Sequence, residues 1–126
     1  MSMEKERVIL IVDDSKTTRK LIAGALENQE YKLLQATNGV EGINSIQSNN
    51  VDLMILDLLM PEMDGIEVIQ KLKELKIDIP VIILTADIQD EVKNECYNYG
   101  VKAFLNKPVK EKEIQDAVIK QLKLLK

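Results

Sequence analysis

The sequence predicts a single α/β domain: a parallel sheet of five strands in the order 2-1-3-4-5, doubly wound by five helices. Three observations carry this prediction. Short runs of β-branched and aliphatic residues alternate with longer stretches of helical period, the rhythm of repeated βα units. Three of those short runs are apolar without a break, as strands covered on both faces must be. The chain has 126 residues, 45% of them apolar, enough to cover one core of ordinary size. No internal repeat, linker or low-complexity stretch divides it, so residues 1–126 are expected to form one domain with its core at about 7–125.

Along the chain, Val8-Ile9-Leu10-Ile11-Val12, Leu53-Met54-Ile55-Leu56 and Val81-Ile82-Ile83-Leu84 are the uninterrupted runs and take the central strands. Lys32 to Ala36 and Ala103 to Asn106 are more mixed and suit the sheet edges. After the first strand Thr18, Leu21, Ile22, Ala25 and Leu26 recur at helical spacing, and after the second Val40, Ile43 and Ile46 do so. Ile66, Val68, Ile69, Leu72 and Leu75 mark the third helix; Val92, Cys96 and Tyr99 mark the fourth. Ile114, Ala117, Val118, Leu122 and Leu125 mark the last, with Ile119 off its stripe. Ser15 is placed to cap the first helix, Asn38-Gly39 to turn into the second, and Gly100 to end the fourth in a left-handed conformation. Right-handed crossovers then give the flavodoxin-like strand order, and ligands in such sheets bind outside the carboxyl ends of the strands.

The residues at those ends are Asp13 and Asp14 after the first strand, Asp57 closing the third, Thr85 closing the fourth and Lys107 after the fifth. Three carboxylates brought together repel unless a cation neutralises them. The chain has no histidine and one cysteine, Cys96, so neither an imidazole site nor an all-thiolate metal site exists in this sequence. Hard oxygen ligands favour Mg²⁺, or Mn²⁺ in its place, and Mg²⁺ accepts a phosphate oxygen readily. Asp57, alone at its strand end between Leu56 and Leu58, is the candidate nucleophile toward phosphorus, and Asp13 and Asp14 the candidate metal ligands. Lys107 supplies positive charge to a phosphoryl group and the Thr85 hydroxyl a hydrogen bond. With 17 basic against 21 acidic residues the net charge is −4, which argues against nucleic acid or anionic lipid as partner. No apolar run approaches the roughly 20 residues that span a bilayer, and no signal-type segment follows the charged start, so a cytoplasmic location is expected.

The ordered set Ile9-Leu10-Ile11-Val12-Asp13-Asp14-Ser15, Leu56-Asp57-Leu58-Leu59-Met60-Pro61-Glu62-Met63-Asp64-Gly65, Leu84-Thr85-Ala86 and Asn106-Lys107-Pro108 resembles the receiver domain of two-component response regulators. The resemblance runs from about Val8 to Leu125 and is greatest to the single-domain chemotaxis (CheY-like) type. It implies that Asp57 is the phospho-acceptor, Asp13 and Asp14 the acidic metal pair and the Leu59 main-chain carbonyl a further metal ligand. Thr85 becomes the switch hydroxyl, Lys107 the partner of the phosphoryl group, and Phe104 an aromatic rotamer switch whose bland alternative is core filling. A cis peptide before Pro108 is implied as well.

The implied partners are a sensor histidine kinase and a downstream protein bound through the face of the fourth helix, fifth strand and fifth helix. Thr85-Ala86-Asp87-Ile88-Gln89 is similar to single-domain receivers that work with a CheC-type phosphatase. Leu59 and Asp87, two residues beyond Asp57 and Thr85, occupy positions that help set phosphoryl lifetime in this family. The implied function is a switch with no output domain, not a turnover enzyme, that catalyses transfer to its own Asp57 and slow autodephosphorylation. Alternatives are a degenerate receiver acting without phosphorylation, a dehalogenase-type phosphohydrolase and a flavin protein. The intact residue set opposes the first. The second needs an Asp where Leu59 stands, and the third lacks a glycine-rich phosphate loop. Cys96 reads as packing, and Lys110 and Lys112 among Glu111 and Glu113 as a solvated helix start.

Overall fold

The computed structural model describes residues 6–60, 63–86 and 89–123. Strands β1 (Val8–Val12), β2 (Lys32–Ala36), β3 (Leu53–Asp57), β4 (Val81–Thr85) and β5 (Ala103–Asn106) alternate with helices α1 (Lys16–Leu26), α2 (Gly39–Ser48), α3 (Gly65–Glu74), α4 (Asp90–Asn98) and α5 (Glu111–Lys123). All strand pairs are parallel and the sheet order is β2-β1-β3-β4-β5, as the sequence predicts. A short 3₁₀ turn, Glu27–Gln29, extends α1 and is not foreseen by the periodicity.

Strand alternation divides the core into two layers. Leu10, Val12, Met54, Leu56 and Ile83 point to one face and pack with Ile43, Ile46, Val68, Ile69, Leu72 and Cys96 of α2, α3 and α4. Ile9, Ile11, Leu53, Ile55, Ile82 and Leu84 point to the other and pack with Ile22, Ala25, Leu26, Ile114, Val118 and Leu122 of α1 and α5. β3 and β4 are buried at every position, which is why both read as unbroken apolar runs.

Two residues assigned to buried stripes lie outside them. Leu21 is 47% exposed and Val40 44% exposed. At 3.6 residues per turn, Leu21 stands roughly 90° from the centre of the arc that Ile22, Ala25 and Leu26 bury, and Val40 about as far from that of Ile43 and Ile46. A helix lying on a sheet buries one arc only. Ile119 is half-buried, and Leu125 lies outside the described residues.

The caps form as their chemistry requires. Ser15 Oγ accepts from the Thr18 N–H at 3.2 Å, and Asn38 Oδ1 from the Glu41 N–H at 2.9 Å. Gly100 follows α4 at φ 97°, the left-handed conformation glycine adopts without strain. At α3, Asp64 and Glu67 form a reciprocal capping box. The Lys107–Pro108 peptide is cis.

Register decides what meets at the carboxyl edge. Val12 lies beside Leu56, Asp57 beside Leu84 and Thr85 beside Asn106. One step beyond these pairs, Asp13, Asp57, Thr85 and Lys107 come to one end of the sheet.

Candidate functional site

β1 delivers Asp13, 1% exposed, and the turn into α1 delivers Asp14, which faces solvent. Asp57 ends β3 at 4% exposed and Thr85 ends β4 at 1%. One carboxylate oxygen from each of Asp13, Asp14 and Asp57 lies within 4.8 Å of the others. Lys107 Nζ reaches in from the loop after β5, 3.0 Å from Asp13 Oδ2 and 3.4 Å from Asp57 Oδ2. That loop is tied to its neighbour by the Lys107 N–H, which donates to the Thr85 carbonyl at 2.8 Å. Each of the five strand-end residues singled out in the sequence is therefore at this edge.

Main-chain donors fix the two buried carboxylates. The Ser15 N–H donates to Asp13 Oδ1 at 2.8 Å and the Leu59 N–H to Asp57 Oδ1 at 3.2 Å. The Leu59 side chain points outward, 66% exposed. With Leu58, Asp64, Ile66, Thr85, Gln89 and Val92 it lines a groove of about 330 Å³. Pro61, Glu62, Asp87 and Ile88 lie outside the described residues.

The electrostatics of this edge are unbalanced. Burial, and then the nearby Asp13 charge, push the Asp57 carboxyl above its ordinary range, against the partial relief given by the Leu59 N–H and Lys107. Burial alone would lower Lys107; its contacts with Asp13 and Asp57 outweigh that and raise it, so it stays a cation. Three ionised carboxylates and one ammonium leave about two negative charges, which a divalent ion would match.

Two buried oxygens, Asp13 Oδ2 and Thr85 Oγ1, have no hydrogen-bond partner among the described residues; the Lys107 contact to the first is an ion pair without hydrogen-bond alignment. A buried polar atom left unpaired costs about 1–3 kcal/mol. Of the two, Asp13 Oδ2 is compensated by the Lys107 ion pair, while the Thr85 hydroxyl is able to donate to an oxygen of a guest at this edge. The all-oxygen donor set suits a hard cation.

Phe104 lies half-buried on β5, opposite Ile83. Its ring meets Tyr97 of α4 edge-on with centroids 4.9 Å apart, and Lys93 Nζ sits 5.5 Å from its centroid. It is thus packed against the core without being enclosed by it. The period of two puts Thr85 and Phe104 on the same face of the sheet, the face that α4 covers.

Sequence reasoning missed the Ser15 N–H, the Lys93 and Tyr97 contacts and Arg19, whose Nη1 donates to the Asp13 carbonyl at 2.7 Å. Only the first had a local signal, since an Asp two residues before a capping Ser readily bonds the N–H there. The others depend on which turn of a helix faces which strand.

Comparison with known proteins agrees with this geometry. The sequence model of the response regulator receiver domain matches residues 9–119. The sensor histidine kinase RcsC of Escherichia coli (strain K12) is 35% identical over 109 residues, which cover 86% of this chain and 12% of that protein, so the chain spans about an eighth of its length. The receiver domain of the Francisella response regulator 1452 superposes with a TM-score of 0.89 at 31% identity, covering 96% of this chain and 100% of that one. The Vibrio cholerae chemotaxis protein CheY4 superposes with a TM-score of 0.87 at 25% identity, covering 93% and 99%. Among the described residues no helix is long and apolar enough to cross a membrane. A family match over residues 9–119, on a fold whose strand ends gather this acidic cluster and its lysine, establishes that the chain belongs to the response regulator receiver domain family.

Proposed function

We propose that Asp57 accepts a phosphoryl group from a phosphohistidine of a sensor histidine kinase, and that the modified protein changes what it binds. The observation that carries this reading is the convergence of Asp13, Asp14 and Asp57 within 4.8 Å of one another, with the half-buried Lys107 against Asp13 and Asp57. These 126 residues include no histidine, so the donor imidazole lies outside them. In the transfer an Asp57 carboxylate oxygen forms the new P–O bond as the donor's P–N bond breaks, and the imidazole leaves with the bonding pair. Lys107 neutralises charge on the transferred group, and the Leu59 N–H holds the other Asp57 oxygen still. Asp13, Asp14 and Asp57 with the Leu59 main-chain carbonyl would hold Mg²⁺, or Mn²⁺. When bound, the ion neutralises charge between carboxylates and phosphoryl oxygens.

The Thr85 hydroxyl, which has no hydrogen-bond partner among the described residues, is the natural sensor of the new group, since it can donate to a phosphoryl oxygen. Moving it frees space on the face it shares with Phe104, and the ring turns inward from Tyr97 and Lys93. The surface of α4, β5 and α5 is thereby altered for a downstream protein. Catalysis here is transfer to the chain's own Asp57 and slow hydrolysis from it, not turnover. The setting we favour is a cytoplasmic two-component pathway, chemotaxis included, on the likeness to CheY4, with a CheC-type phosphatase as a candidate partner.

Beryllofluoride, a phosphoryl mimic, tests this in a calorimeter. Saturable binding that requires Mg²⁺ and is lost in Asp57→Asn is expected. Binding that is absent in the wild type, or unchanged in the variant, refutes the reading.

A further inference from the structure

Two consecutive residues of an extended strand point to opposite faces, yet Asp13 and Asp14 bring oxygens to one place. The backbone must leave strand geometry between them. β1 ends at Val12, and the Asp13 N–H makes one further bond of ladder type, to the Ala36 carbonyl at 3.2 Å. The Asp13 carbonyl, in the peptide that joins the two carboxylate residues, accepts instead from Arg19 Nη1 at 2.7 Å. This is a short, charge-assisted contact, and a charged donor roughly doubles the strength of such a bond. Arg19 is itself held, because its Nε donates to Gln35 Oε1 of β2 at 3.2 Å. A planar guanidinium bonded at two of its nitrogens has little freedom to rotate. The clamp runs from β2 through Arg19 to the 13–14 peptide.

We infer that Arg19 is a positioning residue for the metal site: by fixing the 13–14 peptide it sets the directions in which Asp13 and Asp14 present their carboxylates. The inference rests on the proposed role of those carboxylates as Mg²⁺ ligands. Arg19 touches neither carboxylate group; it acts on the backbone between them. Two opposite effects follow from its chemistry, and their balance has a sign that can be measured. As a cation near the site Arg19 repels Mg²⁺, so a purely electrostatic role means that its removal tightens binding. As a clamp it pre-organises the ligands, and its removal weakens binding.

The test is the Mg²⁺ Kd by titration calorimetry for the wild type, Arg19→Met, Arg19→Lys, Gln35→Leu and Asp13→Asn. The rate of phosphorylation by acetyl phosphate, at saturating Mg²⁺ and at Mg²⁺ near the wild-type Kd, is measured beside it. Arg19→Met is expected to raise Kd about tenfold, the low end of what loss of a supporting partner costs a metal site. Any loss of rate should be smaller at saturating Mg²⁺ than at Mg²⁺ near the wild-type Kd. Gln35→Leu, a change on the exposed edge strand, is expected to raise Kd about two- to threefold, and Arg19→Lys to fall between the two. In metal-free Arg19→Met the Asp14 and Ser15 amide resonances should broaden or shift while those of α3 stay in place. An unchanged or lowered Kd in Arg19→Met overturns the inference. Wild type that binds no Mg²⁺, or Asp13→Asn that binds it equally well, overturns instead the reading on which the inference rests.

Discussion

At the scale of single residues, Asp57 is held in a costly state. Its carboxyl is pushed up from an ordinary value of 3.8, first by burial and then by Asp13. A carboxyl raised on folding favours the folded state while protonated, and that contribution is lost as pH rises through the raised value. At neutral pH the metal-free protein therefore carries an ionised, crowded carboxylate that the unfolded chain does not. Asp57→Asn is expected to melt about 2–4 °C higher than wild type at pH 7.5 in chelator, with the gap closing as pH approaches 3.8 and below. Thermal melts at several pH values check this. Mg²⁺ should reverse the order, since at a hundred times Kd it stabilises the folded wild type by about 2.7 kcal/mol and the variant by far less. A variant that is less stable than wild type in chelator at every pH would contradict this account of the site.

At the scale of elements, the site depends on how closely α3 approaches the end of β3. Gly65 begins α3 and its N–H donates to the Leu58 carbonyl at 3.0 Å. A Cβ placed there would stand 2.7 Å from Leu58 Cα and 2.8 Å from the Asp57 main-chain oxygen. Both atoms are backbone, so the strand end itself would have to move. Gly65→Ala is expected to cost about 1–3 kcal/mol of stability and to weaken Mg²⁺ binding with it. Denaturant unfolding and calorimetry together would show this, and a loss of stability with an intact Kd would mean that α3 does not govern the site. The strands, the helices and the Ser15 cap were legible because each follows from local pattern: unbroken apolar runs for β1, β3 and β4, and a polar residue before α1. Asn38-Gly39 was read as a turn, and the Asp64–Glu67 capping box of α3 was missed. The five strand-end residues were legible for a topological reason, since parallel strands deliver their last residues to one edge. Leu21 and Val40 were misjudged because an apolar residue at helical spacing does not reveal how wide an arc its helix buries. Arg19, Lys93 and Tyr97 were missed because helix-to-strand contacts follow from docking, which no local pattern encodes.

At the scale of the whole molecule, a sheet whose β3 and β4 are buried throughout separates two kinds of surface. Its carboxyl edge carries the charged site, and its β5 side carries Phe104 with Tyr97 and Lys93. Thr85 belongs to the first and shares a sheet face with the second, which is the route the proposed switch would take from the site to the flank. The three clustered carboxylates at the carboxyl edge are where a cation would bind. Everything in this arrangement turns on whether Asp57 takes up phosphorus. The deciding measurement is intact mass with peptide mapping after incubation with acetyl phosphate, with and without Mg²⁺, on wild type and Asp57→Asn. The account predicts one metal-dependent phosphoryl adduct that maps to Asp57 and is absent from the variant. No adduct on the Mg²⁺-loaded wild type, or one that persists in Asp57→Asn, would contradict it.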